Sequence, residues 1–303
     1  MSTKGFRLMA LGLLSLTMAR PARAVDWDGP GTGDALRFAR PAAPAGAPTA
    51  RPSMGHADYL SGTISWGCSG AVVRFSDDWD RPAIVLTNGH CVGEMAAGTF
   101  ASNAEMNDTI RLLTRDDKNL SYAARRLIYA TMTDTDLALI ELGATYRQLA
   151  AKGIAVREIS PAPAGPGQAV VLASGYFRTV QNCAVEALVP RLRESGKWEW
   201  RDAYRLKECR LARGTSGSPL IVPGSDRIVG IVNSANLNGN DCPSDACEVD
   251  DQGRLSAHGR TGYAVRVDQI LSCVDSRGVF DLGLDSCRLF RGGETGTKSA
   301  PKT

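Results

Sequence analysis

Short runs rich in valine and isoleucine, broken by turn residues, constrain the fold of this chain more than any other feature. "GTISW", "SGAVVRF", "AIVLT", "TIRLLT", "RRLIYA", "DLALIEL", "QAVVLASGYF", "PLIVP", "RIVGIV" and "GYAVRV" succeed one another from about residue 60 onward. β-Branched side chains fit a pleated strand and lose rotamer freedom on a helix. Long 3.6-residue periodicity is scarce between the runs. Strands without intervening helices predict an all-β sandwich or barrel rather than a βαβ arrangement. "PLIVPGSDRIVGIV" reads as a hairpin with "PGSD" at its tip. "VDQILSCV" reads as a short C-terminal helix, and no fixed-period repeat is present.

The ends of the chain have a different texture. "MSTKGFRLMALGLLSLTMARPARA" has a basic start, an apolar run from Leu8 to Ala19 and small residues before Val25. Residues 1–24 therefore read as a secretory signal peptide, too short for a membrane span. Residues 25–55, rich in Gly, Pro and Ala, read as a linker or propeptide. Residues 56–290 form the expected folded domain, and 291–303 ("RGGETGTKSAPKT") a disordered tail. No later stretch is apolar enough to span a membrane. The leader's only charges are Lys4, Arg7, Arg20 and Arg23, so its removal takes the formal charge from +3 to −1. The basic balance belongs to the leader and gives no support for nucleic-acid binding.

Eight cysteines, Cys68, Cys91, Cys183, Cys209, Cys242, Cys247, Cys273 and Cys287, are an even number in an exported chain. Disulfides in a secreted or periplasmic protein are the natural reading. With no CxxC pair and three histidines, zinc is disfavoured and no metal is expected. The acidic segment "NGNDCPSDACEVDDQG" lacks EF-hand spacing and reads as a solvated, disulfide-closed loop.

Candidate chemistry centres on one histidine and one serine. His56 lies at the linker boundary and His258 in a polar loop, whereas His90 ends a core-type run in "AIVLTNGHCV". Ser216 lies in "RLARGTSGSPLIV", a crowded small-residue turn placed directly before an apolar strand. A serine hydroxyl needs a base, and the base needs an orienting group. "TDTDLALIEL" supplies Asp136, with Asp134 as the fallback.

Together, "GCSG", "TNGHC", "DLAL" and "GTSGSP" resemble the chymotrypsin/trypsin-like serine proteases over about residues 60–275. The order His, Asp, Ser, with gaps of 46 and 80 residues, matches chymotrypsin rather than subtilisin or the α/β-hydrolases. The resemblance implies two packed six-stranded antiparallel β-barrels with the site in the cleft between them. It implies His90, Asp136 and Ser216 as the triad and the N–H groups of Gly214 and Ser216 as the oxyanion hole. It also implies a Cys68–Cys91 bridge. Cys183–Cys209 is expected as well. The remaining four cysteines allow three pairings, of which Cys242–Cys247 with Cys273–Cys287 is favoured as a set of local staples. Thr215 stands where mammalian members carry aspartate, and no "IVGG"-like start is visible. The form is closer to bacterial extracellular enzymes with "SGSP".

The expected function is secreted endopeptidase acting on protein or peptide substrates through an acyl-enzyme, as a monomer without cofactor. An inactive binding protein on the same fold and an esterase of another fold are the alternatives. The residue six before the nucleophile is Arg210, which the resemblance places at the base of the specificity pocket. A guanidinium there disfavours cleavage after Lys or Arg. A carboxylate of the loop holding Asp241, Asp245, Glu248, Asp250 and Asp251, folded inward, would reverse that preference.

Overall fold

The computed structural model describes residues 54–237, 239, 242 and 245–292, all within one unit spanning Ala50–Thr303. The expected leader, the linker up to residue 53 and the tail from residue 293 lie outside the described residues. The chain is all-β. Its strands are β1 (Ile64–Ser65), β2 (Ala71–Arg74), β3 (Pro82–Thr87), β4 (Phe100–Leu113), β5 (Asn119–Thr131) and β6 (Leu137–Thr145), followed by β7 (Arg157–Ile159) and β8 (Ala169–Ser174). Then come β9 (Thr179–Glu194), β10 (Trp198–Lys207), β11 (Pro219–Ile221), β12 (Arg227–Asn236), β13 (Cys247–Val249), β14 (Leu255–Ser256) and β15 (Thr261–Arg266). Among the described residues the short α-helices are α1 (His56–Leu60), α2 (Gly89–Val92) and α3 (Tyr146–Ala150). The expected terminal helix is a 3₁₀ segment, Asp268–Cys273.

The pairings form two antiparallel rings. In the first, the order is β1-β4-β5-β6-β3-β2, and a bridge between Thr63 and Ala71 closes it. In the second, β8, β9, β10, β15, β12 and β11 pair in a complete cycle. Closure removes the open edges that flat sheets expose. The short β7 pairs in parallel with both β2 and β12 and so links the rings.

The apolar runs are explained by burial on both faces. Along β6, Ala138, Ile140 and Leu142 pack into the first ring's core. Leu137 and Leu139 turn the other way, into a cluster that also holds Val171, Ala173, Ile231 and Tyr263 of the second ring. In β8, Val170 and Leu172 fill the second ring while Val171 and Ala173 face that shared cluster. Period-2 alternation is thus retained, with both faces apolar. The hydrophobic layer between the rings fixes their ends against each other, and the candidate site is built at that junction.

Four disulfides staple this frame. Cys68 is joined to Cys91, and Cys183 to Cys209. The four cysteines whose pairing the sequence leaves open are resolved as Cys242–Cys247 and Cys273–Cys287. Cys242 and Cys247 are five residues apart, and their bridge closes the acidic loop onto the start of β13. Cys273 and Cys287 are both buried in the shared cluster, so their bridge holds the C-terminal segment against the core. Among the described residues no cysteine is free.

Candidate active site

β3 and β6 are hydrogen-bonded neighbours, with Thr87 opposite Ala138. Their ends place α2, which carries His90, beside Asp136, the residue preceding β6. His90 Nδ1 lies 2.7 Å from Asp136 Oδ2. The His90 N–H donates to the other carboxylate oxygen at 3.1 Å. Asn88 Nδ2 donates to the Asp136 carbonyl at 2.8 Å, fixing the backbone of that aspartate. Asp136 is fully buried, whereas His90 is partly exposed to the cleft. With Nδ1–H directed at the carboxylate, Nε2 is left as the basic nitrogen. Burial opposes protonation of His90. The charge of Asp136, its hydrogen bond and the charge of Glu194 outweigh burial and raise the proton affinity above the ordinary value.

The turn around Ser216 is held by its own atoms and by the first ring. The Thr215 N–H and hydroxyl both donate to the Ala212 carbonyl, at 3.0 and 2.7 Å. The Ser218 N–H donates to the Thr215 carbonyl at 2.9 Å, and Gly217 N–H to the Val232 carbonyl at 2.7 Å. Ser69 N–H donates to the Ser216 carbonyl at 2.7 Å, and the Ser69 hydroxyl to the Gly214 carbonyl at 3.1 Å. Gly214 has φ +103°, and a Cβ there would lie 2.6 Å from the Tyr176 ring. Glycine alone meets both conditions. Among the described residues, neither the Gly214 nor the Ser216 N–H has a protein acceptor.

His90 and Ser216 line one cleft of about 410 Å³. His90 and Met132 come from the first ring, and Ser216, Val232 and Asn233 from the second. The Cys68–Cys91 disulfide ties the segment before β2 to the residue after His90. The imidazole and the serine thus share one cleft, with the buried carboxylate behind the imidazole and, in the serine turn, two N–H groups that have no acceptor among the described residues.

The sequence pattern of the family described as trypsin-like peptidase domain matches residues 62–231. The chain belongs to the trypsin-like peptidase family. Among solved structures it is similar to the MamO protease domain from Magnetospirillum magneticum in its apo form, at 16% identity and TM-score 0.47, covering 72% of this chain and 98% of that one. It is also similar to kallikrein-related peptidase 10, at 13% identity and TM-score 0.44, covering 72% and 95%. A third is an inactivated protease paralogue of the scabies mite, at 16% identity and TM-score 0.41, covering 66% and 82%. No curated protein matches.

Within this trypsin-like peptidase domain, other expected residues fall as follows. Because Cys68 and Cys91 are joined, their sulfurs near His90 are not thiolate ligands. Asp134 lies apart from His90, with φ +59° and an exposed ion pair to Arg201 at 2.8 Å. His56 is exposed in α1, and His258 lies 3.5 Å from Glu248.

Arg210 requires correction. It is exposed, does not line the cleft, and its backbone N–H and carbonyl are held by the Gln181 side chain. A charged guanidinium near the Cys183–Cys209 bridge stays in water rather than entering a pocket. Of the acidic loop, Asp245 reaches the cleft, while Glu248 pairs with Arg205 and Asp250 with Arg254. Asp251 is exposed, and Asp241 lies outside the described residues. The cleft also contains Glu194, at the end of β9, which the sequence reading passed over. In "RLRESGKWEW" it looks like one more charge beside a hairpin turn.

Proposed function

We propose that the chain is an exported serine endopeptidase whose triad is Ser216, His90 and Asp136. The observation that carries this reading is the 2.7 Å contact between His90 Nδ1 and a fully buried Asp136, at a cleft that His90 shares with Ser216. His90 Nε2 takes the proton as Ser216 Oγ bonds to the substrate carbonyl carbon. Asp136 holds the imidazole in the required tautomer and stabilises its charged form. The N–H groups of Gly214 and Ser216 receive the oxyanion. On collapse the C–N bond breaks, and His90 gives its proton to the leaving amine. Water then attacks the acyl-enzyme with His90 again as base, releasing the acid and restoring Ser216. Four disulfides and the reading of residues 1–24 as a leader support an oxidising compartment.

Labelling with a fluorophosphonate probe, followed by peptide mapping, tests this. Label on Ser216 together with casein cleavage is expected. Casein cleavage by a Ser216→Ala chain would refute the assignment. Absence of both label and cleavage would favour a binding protein on the same fold.

A further inference from the structure

We propose that Glu194 and Asn233 form a subsite that binds a cationic substrate side chain, lysine or arginine, on the His90 side of the cleft. The proposal rests on the peptidase reading of that cleft and concerns its selectivity. Glu194 is partly buried, lines the cleft and accepts a hydrogen bond from the Ser234 hydroxyl. No lysine or arginine among the described residues forms an ion pair with it. Its neighbours Arg191 and Arg193 both turn to Glu199 instead. A carboxylate withdrawn from water without a counter-charge is an unfavourable arrangement that a bound cation relieves.

A second observation is independent of that charge. Asn233 lines the same cleft, is only 5% exposed, and both its amide nitrogen and oxygen are buried without a partner among the described residues. Buried amides are normally hydrogen-bonded, so an amide left open in both senses at a cleft marks a place for ligand polar groups. Its oxygen accepts from an ammonium or guanidinium beside the carboxylate.

The surroundings favour the same ligand. Among the described residues, Glu94 and Glu194 line the cleft against one guanidinium, Arg213, and like-signed charge in a cleft concentrates counter-charged ligands. Met132 and Trp198 supply apolar wall for the alkyl stem of lysine or arginine. Burial pushes the Glu194 carboxyl up, partly offset by the Ser234 hydrogen bond, and an incoming cation opposes that rise. Arg210 itself does not line this cleft, so the proposed cation site is built from other residues than the one expected to set selectivity.

Hexapeptides bearing one lysine or one norleucine at each position in turn test the proposal by binding. The Ser216→Ala chain serves as receptor, so the result does not depend on turnover. At one position lysine is expected to bind about tenfold more tightly than norleucine, and Glu194→Gln in the same background should bring the ratio to within about twofold. No lysine preference at any position, or one that survives Glu194→Gln, overturns the proposal. If Glu194→Gln does not fold, Glu194→Asp decides. It keeps the charge one methylene further back, and should raise binding of a homolysine peptide relative to lysine at least about threefold. An unchanged ratio overturns the proposal. Failure of the peptidase reading is seen separately, as casein cleavage by the Ser216→Ala chain.

Discussion

Gly89 sits so close to Thr131 that a Cβ added to it would lie 2.1 Å from the Thr131 carbonyl oxygen and 3.2 Å from Asp136 Oδ1. The glycine in "TNGHC" therefore lets the histidine turn rest directly on the end of β5. Gly89→Ala must push α2 away from Asp136. A displacement of about 1 Å at a catalytic group costs on the order of 100-fold in turnover. We expect that loss in kcat, with the far-ultraviolet circular dichroism unchanged. Unchanged kcat would show that the contact is absorbed elsewhere.

Ser216→Ala, His90→Ala and Asp136→Asn are each expected to lower kcat by roughly 10⁴-fold or more. The triple substitution should cost little more than the worst single one, because the three groups act as a unit. Single-turnover kinetics with purified variants measures this. A product of three independent losses would mean that they do not.

The pH dependence follows from the charges around His90. Its base form is required, so activity falls as pH drops through its pKa. Burial lowers that pKa, but Asp136 and Glu194 together raise it above 6.5. The acid limb of kcat/KM is therefore expected to inflect above that value. Glu194→Gln removes one raising charge and should shift the limb to lower pH. A shift to higher pH, or none, would show that Glu194 does not act on the imidazole.

Much of the site was legible because local sequence specifies it. Gly89, Gly214 and Gly217 stand where backbone crowding or positive φ admits only glycine, and they flank the proposed His90 and Ser216 in short motifs. Asp136 was distinguishable from Asp134 by its place one residue before a buried strand. The rings were legible as repeated apolar runs, but strand lengths were not. β4, β5 and β9 run to 14, 13 and 16 residues where short strands were expected. The projecting part of β4 is mostly exposed and polar, as in "SNAEMND", so hydrophobic periodicity ends before the hydrogen bonding does. The partners of Cys242 and Cys287 could be narrowed by short separation but not fixed, since spacing alone does not say which sulfurs the fold brings together. The cleft lining was hidden for a related reason. Glu194 and Asn233 line one cleft only because β9 and β12 are brought together through the other strands of the second ring, which no local pattern encodes. Arg210 was misplaced because the resemblance assigns pocket positions by counting back from Ser216, and a count does not say whether a side chain turns to the cleft or to water.

The Cys68–Cys91 bridge closes a separation of 23 residues beside the imidazole. Replacing both cysteines by alanine is expected to cost about 3 kcal/mol of folding stability in a chain-entropy account. Urea unfolding of the mature protein checks the magnitude. If the bridge also holds the histidine turn, kcat should drop in conditions where the variant is still fully folded.

Ser69 joins the two rings at the proposed nucleophile, Ser216. Its N–H holds the Ser216 carbonyl, its hydroxyl holds the Gly214 carbonyl, and its own carbonyl accepts the Thr87 hydroxyl at 2.7 Å. The hydroxyl is itself set by Ser174 Oγ at 3.0 Å and by the Tyr176 N–H at 3.2 Å. Ser69→Ala removes the group that fixes the Gly214 carbonyl while leaving the backbone contact to Ser216 intact. Gly214, at φ +103°, then loses one restraint on the orientation of its N–H toward the oxyanion. A donor aimed at the oxyanion contributes about 10²- to 10³-fold to turnover. Loosening one without deleting it should lower kcat by about 10-fold, with KM nearly unchanged, since the ground-state carbonyl depends less on that donor. Steady-state kinetics on a peptide amide separate the two constants. A raised KM at constant kcat would place Ser69 in substrate binding instead.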